Sequence, residues 1–376
     1  MLPPTDPSPQ PDPDRQMVAL ALPMSRPLFT WIFLAASVLV FIAMTLAGGS
    51  ENTETLVRFG AKVNALIAGG EYWRFFTPMF IHIGIMHLAF NSYALYALGT
   101  DVERLFGRAP FAVLYVLAGF GGVVASFALN DHLSAGASGA IFGLIGALGY
   151  FFARYRNLLG QAGRRQLANI ALVAIYNLAF GFFYPGVDNH GHIGGLISGV
   201  ALAWALCPDY SILRTSEGEP VRVVDLRTPR RRLLLVLPVA LAIVLGAALA
   251  VRAQSDSFAV LMDQGNTRLD GGDLDGALEY FVKAAEARPD SPDAHFMAGY
   301  IQFEQGNYEN AAASFEKTVA LQGDSAEARW NLALAYMRLG RYQDAAEHLN
   351  VYLTLASSET ERSEAQQLLE ELGQPR

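Results

Sequence analysis

A single cysteine, Cys207, stands in a chain of 376 residues. That excludes an intrachain disulfide framework and any multi-cysteine zinc or iron–sulfur site. Charge is also scarce. Asp, Glu, Lys and Arg make up 16% of the chain, where a soluble domain carries roughly 25%, and 52% is hydrophobic. The little charge present is unevenly placed: residues 256–376 hold 9 basic and 21 acidic side chains, a net of −12, and residues 1–255 hold 18 and 14, a net of +4. These numbers argue against one soluble globular enzyme, and a basic surface for nucleic acid is excluded. No His-Glu-x-x-His run occurs. What is abundant at the start is proline, with seven between Pro3 and Pro23. Such a composition cannot bury a core, so residues 1–26 read as a disordered tail, neither signal peptide nor transit peptide.

Seven apolar stretches follow, near 28–47, 79–99, 110–129, 138–153, 168–184, 189–207 and 233–251. Each approaches the roughly 20 residues a helix needs to cross a bilayer. Arginines gather before the first stretch, between the second and third, between the fourth and fifth, and between the sixth and seventh. The alternate connections 130–137 and 185–188 contain no Lys or Arg. Positive charge stays on the cytoplasmic side, which predicts a cytoplasmic amino terminus and an outer carboxyl terminus. Arg58, Lys62 and Arg74 depart from the pattern in the long first outer loop, where Glu51, Glu54 and Glu71 accompany them. Arg230 to Arg232 read as an anchor for the seventh span.

Beyond residue 256 the pattern becomes a 34-residue period. Gly272, Gly306 and Gly340 keep that spacing, as do Ala277, Ala311 and Ala345, with Phe281, Phe315 and Leu349 four positions later. The period resembles the tetratricopeptide repeat, in three copies at about 258–291, 292–325 and 326–359, followed by a capping helix at 360–373. The expected fold class is therefore all-α: a polytopic membrane bundle of six helices, a seventh transmembrane helix, then a soluble α-solenoid. The expected domains are a cytoplasmic tail (1–26), a six-helix core (27–208), a basic cytoplasmic linker (209–232), the seventh helix (233–252) and an extracytoplasmic repeat domain (256–376).

Polar residues inside spans are costly, so each needs a reason. His82, His87 and Asn91 lie in the second stretch, Ser138 opens the fourth, and His190 and His192 open the sixth. By the topology above, these three stretches all run from outside to inside, so one outer layer receives a hydroxyl, imidazoles and an amide. Ser138, in Gly136-Ala137-Ser138-Gly139, sits where a loop enters a helix and free N–H groups can stabilise an oxyanion. A neutral histidine is the usual base for such a serine. His192 is the candidate, one turn into a helix whose Gly191, Gly195 and Gly199 form a flat face. Gly139, Gly143 and Gly146 do the same for the fourth span, so the two helices can touch. Asn91 and His87 could add donors to the oxyanion. Four histidines also invite a metal reading, but no carboxylate lies in the second span, so no metal is assigned. His190 reads as a solvated loop residue, and Asn177 as either a helix contact or the lining of a gate.

Taken together and in order, these residues resemble the rhomboid intramembrane serine proteases over about 28–207. The likeness runs through Trp73-Arg74, the His-x4-His-x3-Asn of His82, His87 and Asn91, and Glu103-Arg104. It continues in the Gly-x-Ser-Gly of Ser138 and the His-x2-Gly-x3-Gly of His192, Gly195 and Gly199. It implies that Ser138 is acylated as nucleophile with His192 as base, and that the Ser138 N–H, Asn91 and His87, with Gly136, support the oxyanion. Trp73, Arg74, His82, Gly195 and Gly199 take structural roles. Phe142 stands where family members often have a tyrosine packed on the catalytic histidine. Asp188 stands four residues before His192, where a small residue is usual; it faces the same helix side as His192, and reads as an exposed loop-end carboxylate or a helix cap rather than a third catalytic member. No cofactor is implied. The expected function is cleavage of single-span membrane proteins near the outer face of a bacterial inner membrane, with the repeats recruiting substrate or an unidentified protein partner. Substrates are expected to carry helix-weakening residues in the span and a small residue before the cut.

Overall fold

The computed structural model describes residues 24–184, 186–213 and 222–373. The expected tail lies outside the described residues up to position 23, as does 214–221 of the expected linker. Contacts divide the chain into two units, one comprising 1–61, 76–130 and 134–245, the other 62–75, 131–133 and 246–376.

In the first unit α1 (Phe29–Leu46) is followed by the short α2 (Thr53–Phe59), capped by Asn52, whose side chain accepts from the Thr55 N–H at 2.9 Å. The short α3 (Asn64–Ala68) falls in the second unit. A 3-10 turn over Thr77–Phe80 holds Pro78, and α4 (Gly84–Ala94) starts only at Gly84, with φ +75°. The second membrane helix therefore begins later than the apolar run suggests, and His82 lies in the extended segment before it. Hydropathy could not register that break, because the residues 79–83 are apolar but for His82. The helix continues through a π-helical turn, Leu95–Gly99, into α5 (Thr100–Phe106).

The centre of the unit is built from α6 (Arg108–Leu129), α7 (Ser138–Tyr155) and α9 (Asn189–Leu206), with α8 (Gly160–Phe183) between the last two in sequence. Phe111, Leu114, Ala118, Leu144, Ala147, Leu202 and Ala203 are wholly buried among them. Lipid is as apolar as these side chains, so helix association in a bilayer rests on close packing more than on hydrophobic transfer. Small residues supply it. A Cβ on Gly195 or Gly199 of α9 would land on the carbonyl oxygen of Gly139 or Gly143 of α7. Among the described residues, four helices are long and apolar enough to cross a membrane: α1, α6, α8 and the α10 helix (Pro229–Gln254).

The linker stretch is not wholly irregular. β1 (Tyr210–Leu213) pairs antiparallel with β2 (Arg222–Asp225), Tyr210 opposite Asp225, the one sheet among the described residues. Arginines expected as topology anchors also tie this region together. Arg227 donates to the Trp204 and Ala205 carbonyls at the end of α9, where a cation suits the helix dipole, and Arg232 pairs with Asp225.

In the second unit α11 (Phe258–Asp270) pairs with α12 (Leu274–Ala287), α13 (Pro292–Glu304) with α14 (Tyr308–Leu321), and α15 (Ala326–Arg338) with α16 (Tyr342–Leu355), and α17 (Glu359–Gly373) closes the row. The 34-residue period has a physical cause. Gly272, Gly306 and Gly340 all turn with φ between +74° and +78°, a conformation other residues resist. Ala277, Ala311 and Ala345 and the bulkier Phe281, Phe315 and Leu349 are all fully buried. Burying each such large side chain contributes roughly 1.5–3 kcal/mol.

Candidate active site

Ser138 opens α7. The loop before it is held by Gly136, whose N–H donates to the Pro78 carbonyl at 2.9 Å. Gly136 adopts φ +136°, and a Cβ there would stand 2.8 Å from Cε1 and Nε2 of His87. The first intrahelical donor is the Ile141 N–H, bonded to the Ala137 carbonyl at 3.0 Å. The N–H groups before it, including that of Ser138, precede the helix ladder and are the free donors of a helix start.

His192 lies in the first turn of α9, its N–H donating to the Asp188 carbonyl at 3.1 Å. Its ring is buried and lies flat on Phe142, with centroids 4.3 Å apart and planes 12° from parallel. The glycine contacts between α7 and α9 carry these first turns side by side, so Ser138 and His192 sit at the same end of adjoining helices. His192 Nδ1 has no hydrogen-bond partner among the described residues.

His87, in the first turn of α4, accepts the Ile83 N–H on Nδ1 at 3.3 Å. A neutral imidazole that accepts on one nitrogen carries its proton on the other. His87 therefore presents Nε2–H as a donor, and that nitrogen faces Gly136. His82 is buried and meets His87 edge to face at 5.3 Å, which fits a supporting role. Asn91 is buried one turn further along, but its Nδ2 donates to the His87 carbonyl at 3.0 Å. One of its two N–H groups is thus bound to its own helix, leaving one for another acceptor.

Other expected residues make local contacts of their own. Arg74 is buried and bridges Glu71 at 2.6 Å, with its guanidinium 4.5 Å from the centre of the Trp73 ring, a local clasp. Gly199 lies two turns below His192. His190 is exposed, and Asn177 donates to the Val173 carbonyl of its own helix at 2.8 Å. Among the described residues, no group of three or more His, Cys, Asp or Glu side chains is arranged to hold a metal ion.

Two roles escaped the sequence. Glu103 is wholly buried and its carboxylate accepts from the N–H groups of Leu28, Phe29 and Thr30 and from the Thr30 hydroxyl, at 2.7–2.9 Å. It caps α1 from 73 to 75 residues away, an anion at a helix start. Asp188 caps α9 through the Gly191 N–H, the local role its position allowed, and its missed role is to accept from Ser134 and Asn130 of the loop before α7. No spacing rule reveals either, because the partners are distant in sequence.

The chain is thus a polytopic helical membrane bundle followed by a helical-repeat domain. Compared with known proteins, residues 69–209 match the Rhomboid domain family, and 262–325 and 296–360 match the tetratricopeptide repeat. Putative rhomboid protease YdcA of Bacillus subtilis (strain 168) is 33% identical over 147 residues, 38% of this chain and 71% of that protein. The chain belongs to the rhomboid family. Rhomboid protease GluP of the same organism is 49% identical over 193 residues, 51% of this chain and 37% of that protein. RHOMBOID-like protein 4 of Arabidopsis thaliana is 34% identical over 163 residues, 42% and 41% of the two chains. The chain spans 37% of the length of GluP and 35% to 50% of that of five RHOMBOID-like proteins of Arabidopsis thaliana. Among solved structures, the crystal structure of MamA matches at 21% identity and TM-score 0.28, over 34% of this chain and 85% of that one.

Proposed function

We propose that the protein is an intramembrane serine endopeptidase that cuts transmembrane segments of single-span proteins. The observation that carries the reading is the meeting of two helix starts: Ser138 at the head of α7, and His192 stacked on Phe142 at the head of α9. Relatives named as rhomboid proteases support it.

The chemistry follows from the groups at hand. His192 takes the proton of the Ser138 hydroxyl as Oγ attacks the scissile carbonyl. The resulting oxyanion is held by the Ser138 N–H, by His87 Nε2–H and by the remaining N–H of Asn91. His192 returns the proton to the departing amine as the peptide bond breaks, leaving an acyl ester on Ser138. Water, activated by the same imidazole, then hydrolyses the ester. A helical substrate hides its carbonyls in hydrogen bonds, so the site takes segments that unwind locally, with Gly or Pro in the span. The loop arginines support an amino terminus in the cytoplasm, and the repeats outside, where they recruit substrate or partner proteins.

The test uses purified chain in detergent, a serine-directed fluorophosphonate probe and a single-span substrate. Ser138→Ala and His192→Ala should each lower turnover by at least about 10³-fold and abolish labelling, with no effect of a chelator. Appreciable turnover in both variants would refute the dyad.

A further inference from the structure

We infer that Asp188 is a positioning residue, which locks the loop delivering Ser138 onto the helix delivering His192. The inference rests on the Ser138–His192 reading. Asp188 holds α9 twice: Oδ1 accepts the Gly191 N–H at 3.0 Å as the helix cap, and the main-chain carbonyl accepts the N–H of His192 itself. The same carboxylate reaches across to the loop before α7. Oδ2 accepts the Ser134 hydroxyl at 2.7 Å, and Oδ1 accepts Nδ2 of Asn130 at 3.3 Å. The Ser134–Asp188 bond therefore joins the two segments that carry the reacting pair, each partner four residues before Ser138 or His192.

This is not a catalytic triad. Both carboxylate oxygens are engaged by the cap and the loop, and His192 Nδ1 has no hydrogen-bond partner among the described residues. Asp188 acts on the histidine through the backbone, and on the serine through Ser134. The glycine contacts fix how closely α7 and α9 approach. The Gly136–Pro78 bond holds the loop to the segment before α4, and the bonds of Ser134 and Asn130 to Asp188 hold it to the head of α9. Misplacing a reacting atom by about 1 Å costs on the order of 100-fold in rate, so a modest bond can govern turnover.

The side-chain chemistry suggests variants that separate cap, bond and charge. Asp188→Ser keeps a capping hydroxyl but is too short to reach Ser134 or Asn130. Ser134→Ala removes the bond from the other side. Asp188→Asn keeps both: its oxygen can cap Gly191, and its amide can donate to the Ser134 oxygen, reversing that bond.

The full chain in detergent is assayed on a single-span substrate, with active sites counted by the fluorophosphonate probe so that poorly folded molecules drop out. Asp188→Ser and Ser134→Ala should each lower kcat per labelled site roughly 10- to 100-fold with KM unchanged. The double variant should be no worse than Asp188→Ser alone. Asp188→Asn should stay within about twofold of wild type and keep the pH profile of kcat/KM. If Asp188→Ser fails to accumulate, Ser134→Ala reads the same bond. Wild-type kcat per site in both Asp188→Ser and Ser134→Ala would overturn the inference. So would an Asp188→Asn enzyme as slow as Asp188→Ser, or one with a shifted pH profile, since charge would then be the operative property. Wild-type turnover in Ser138→Ala would sink the dyad reading, and this inference with it.

Discussion

Gly136 has no room for a methyl group. Its backbone is in a conformation that side chains resist, and a Cβ would strike the His87 ring at 2.8 Å. The ring so displaced is the one whose Nε2–H faces the serine loop. Gly136→Ala should therefore lower kcat per labelled site by up to about the 10²–10³-fold expected for losing one oxyanion donor. His87→Ala should fall as far, and the double variant little further; additive losses would show that Gly136 acts elsewhere. Phe142 works differently, as a flat apolar surface under His192. At this scale Ser138, His192, His87 and Asn91 were legible as candidates because polar groups in apolar helices are expensive and rare. The bond from Asn91 back to its own helix was not, because a residue type states which donors exist and not where they point.

Helices meet in this protein through absent side chains. Gly195 and Gly199 recur four residues apart, about one turn, so the contact face is legible in the order of residues alone. Gly195→Val would press a branched side chain into the Gly139 carbonyl, and overpacking of that kind costs roughly 1–3 kcal/mol. It should reduce both the midpoint of denaturant unfolding in micelles and the labelled fraction; an unchanged midpoint would mean that the helices do not touch there. Glu103 is the opposite case, a buried anion whose four bonds cap the start of α1. Glu103→Ala leaves those donors unpaired, each costing about 1–3 kcal/mol where it is buried. The variant should lose folded yield, and Glu103→Gln should recover part of it.

The whole molecule joins a part suited to lipid with a part suited to water. An apolar stretch with a net charge of +4 precedes an acidic one of −12. Its orientation is open to a direct check, because the only native thiol, Cys207, is buried. With Glu359→Cys, at an exposed position of α17, a membrane-impermeant maleimide should label intact cells as strongly as lysed ones. Labelling only after lysis would reverse the topology. Removing residues 256–376 should leave labelling of Ser138 intact and slow cleavage of natural substrates; unchanged cleavage of every one would end the recruitment reading.

Local rules reach only a short distance along this chain. Apolar run length, the 34-residue period, the glycine spacing and the candidate reacting side chains are all written within one or two helical turns or one repeat, so residue order alone carries them. The hairpin of β1 and β2, the capping of α1 by Glu103 and the tie from Asp188 to Ser134 depend on partners distant in the chain. The later start of α4 depends on a proline turn that hydropathy does not register. Those were decided only when tertiary packing brought backbone donors and side-chain acceptors into register.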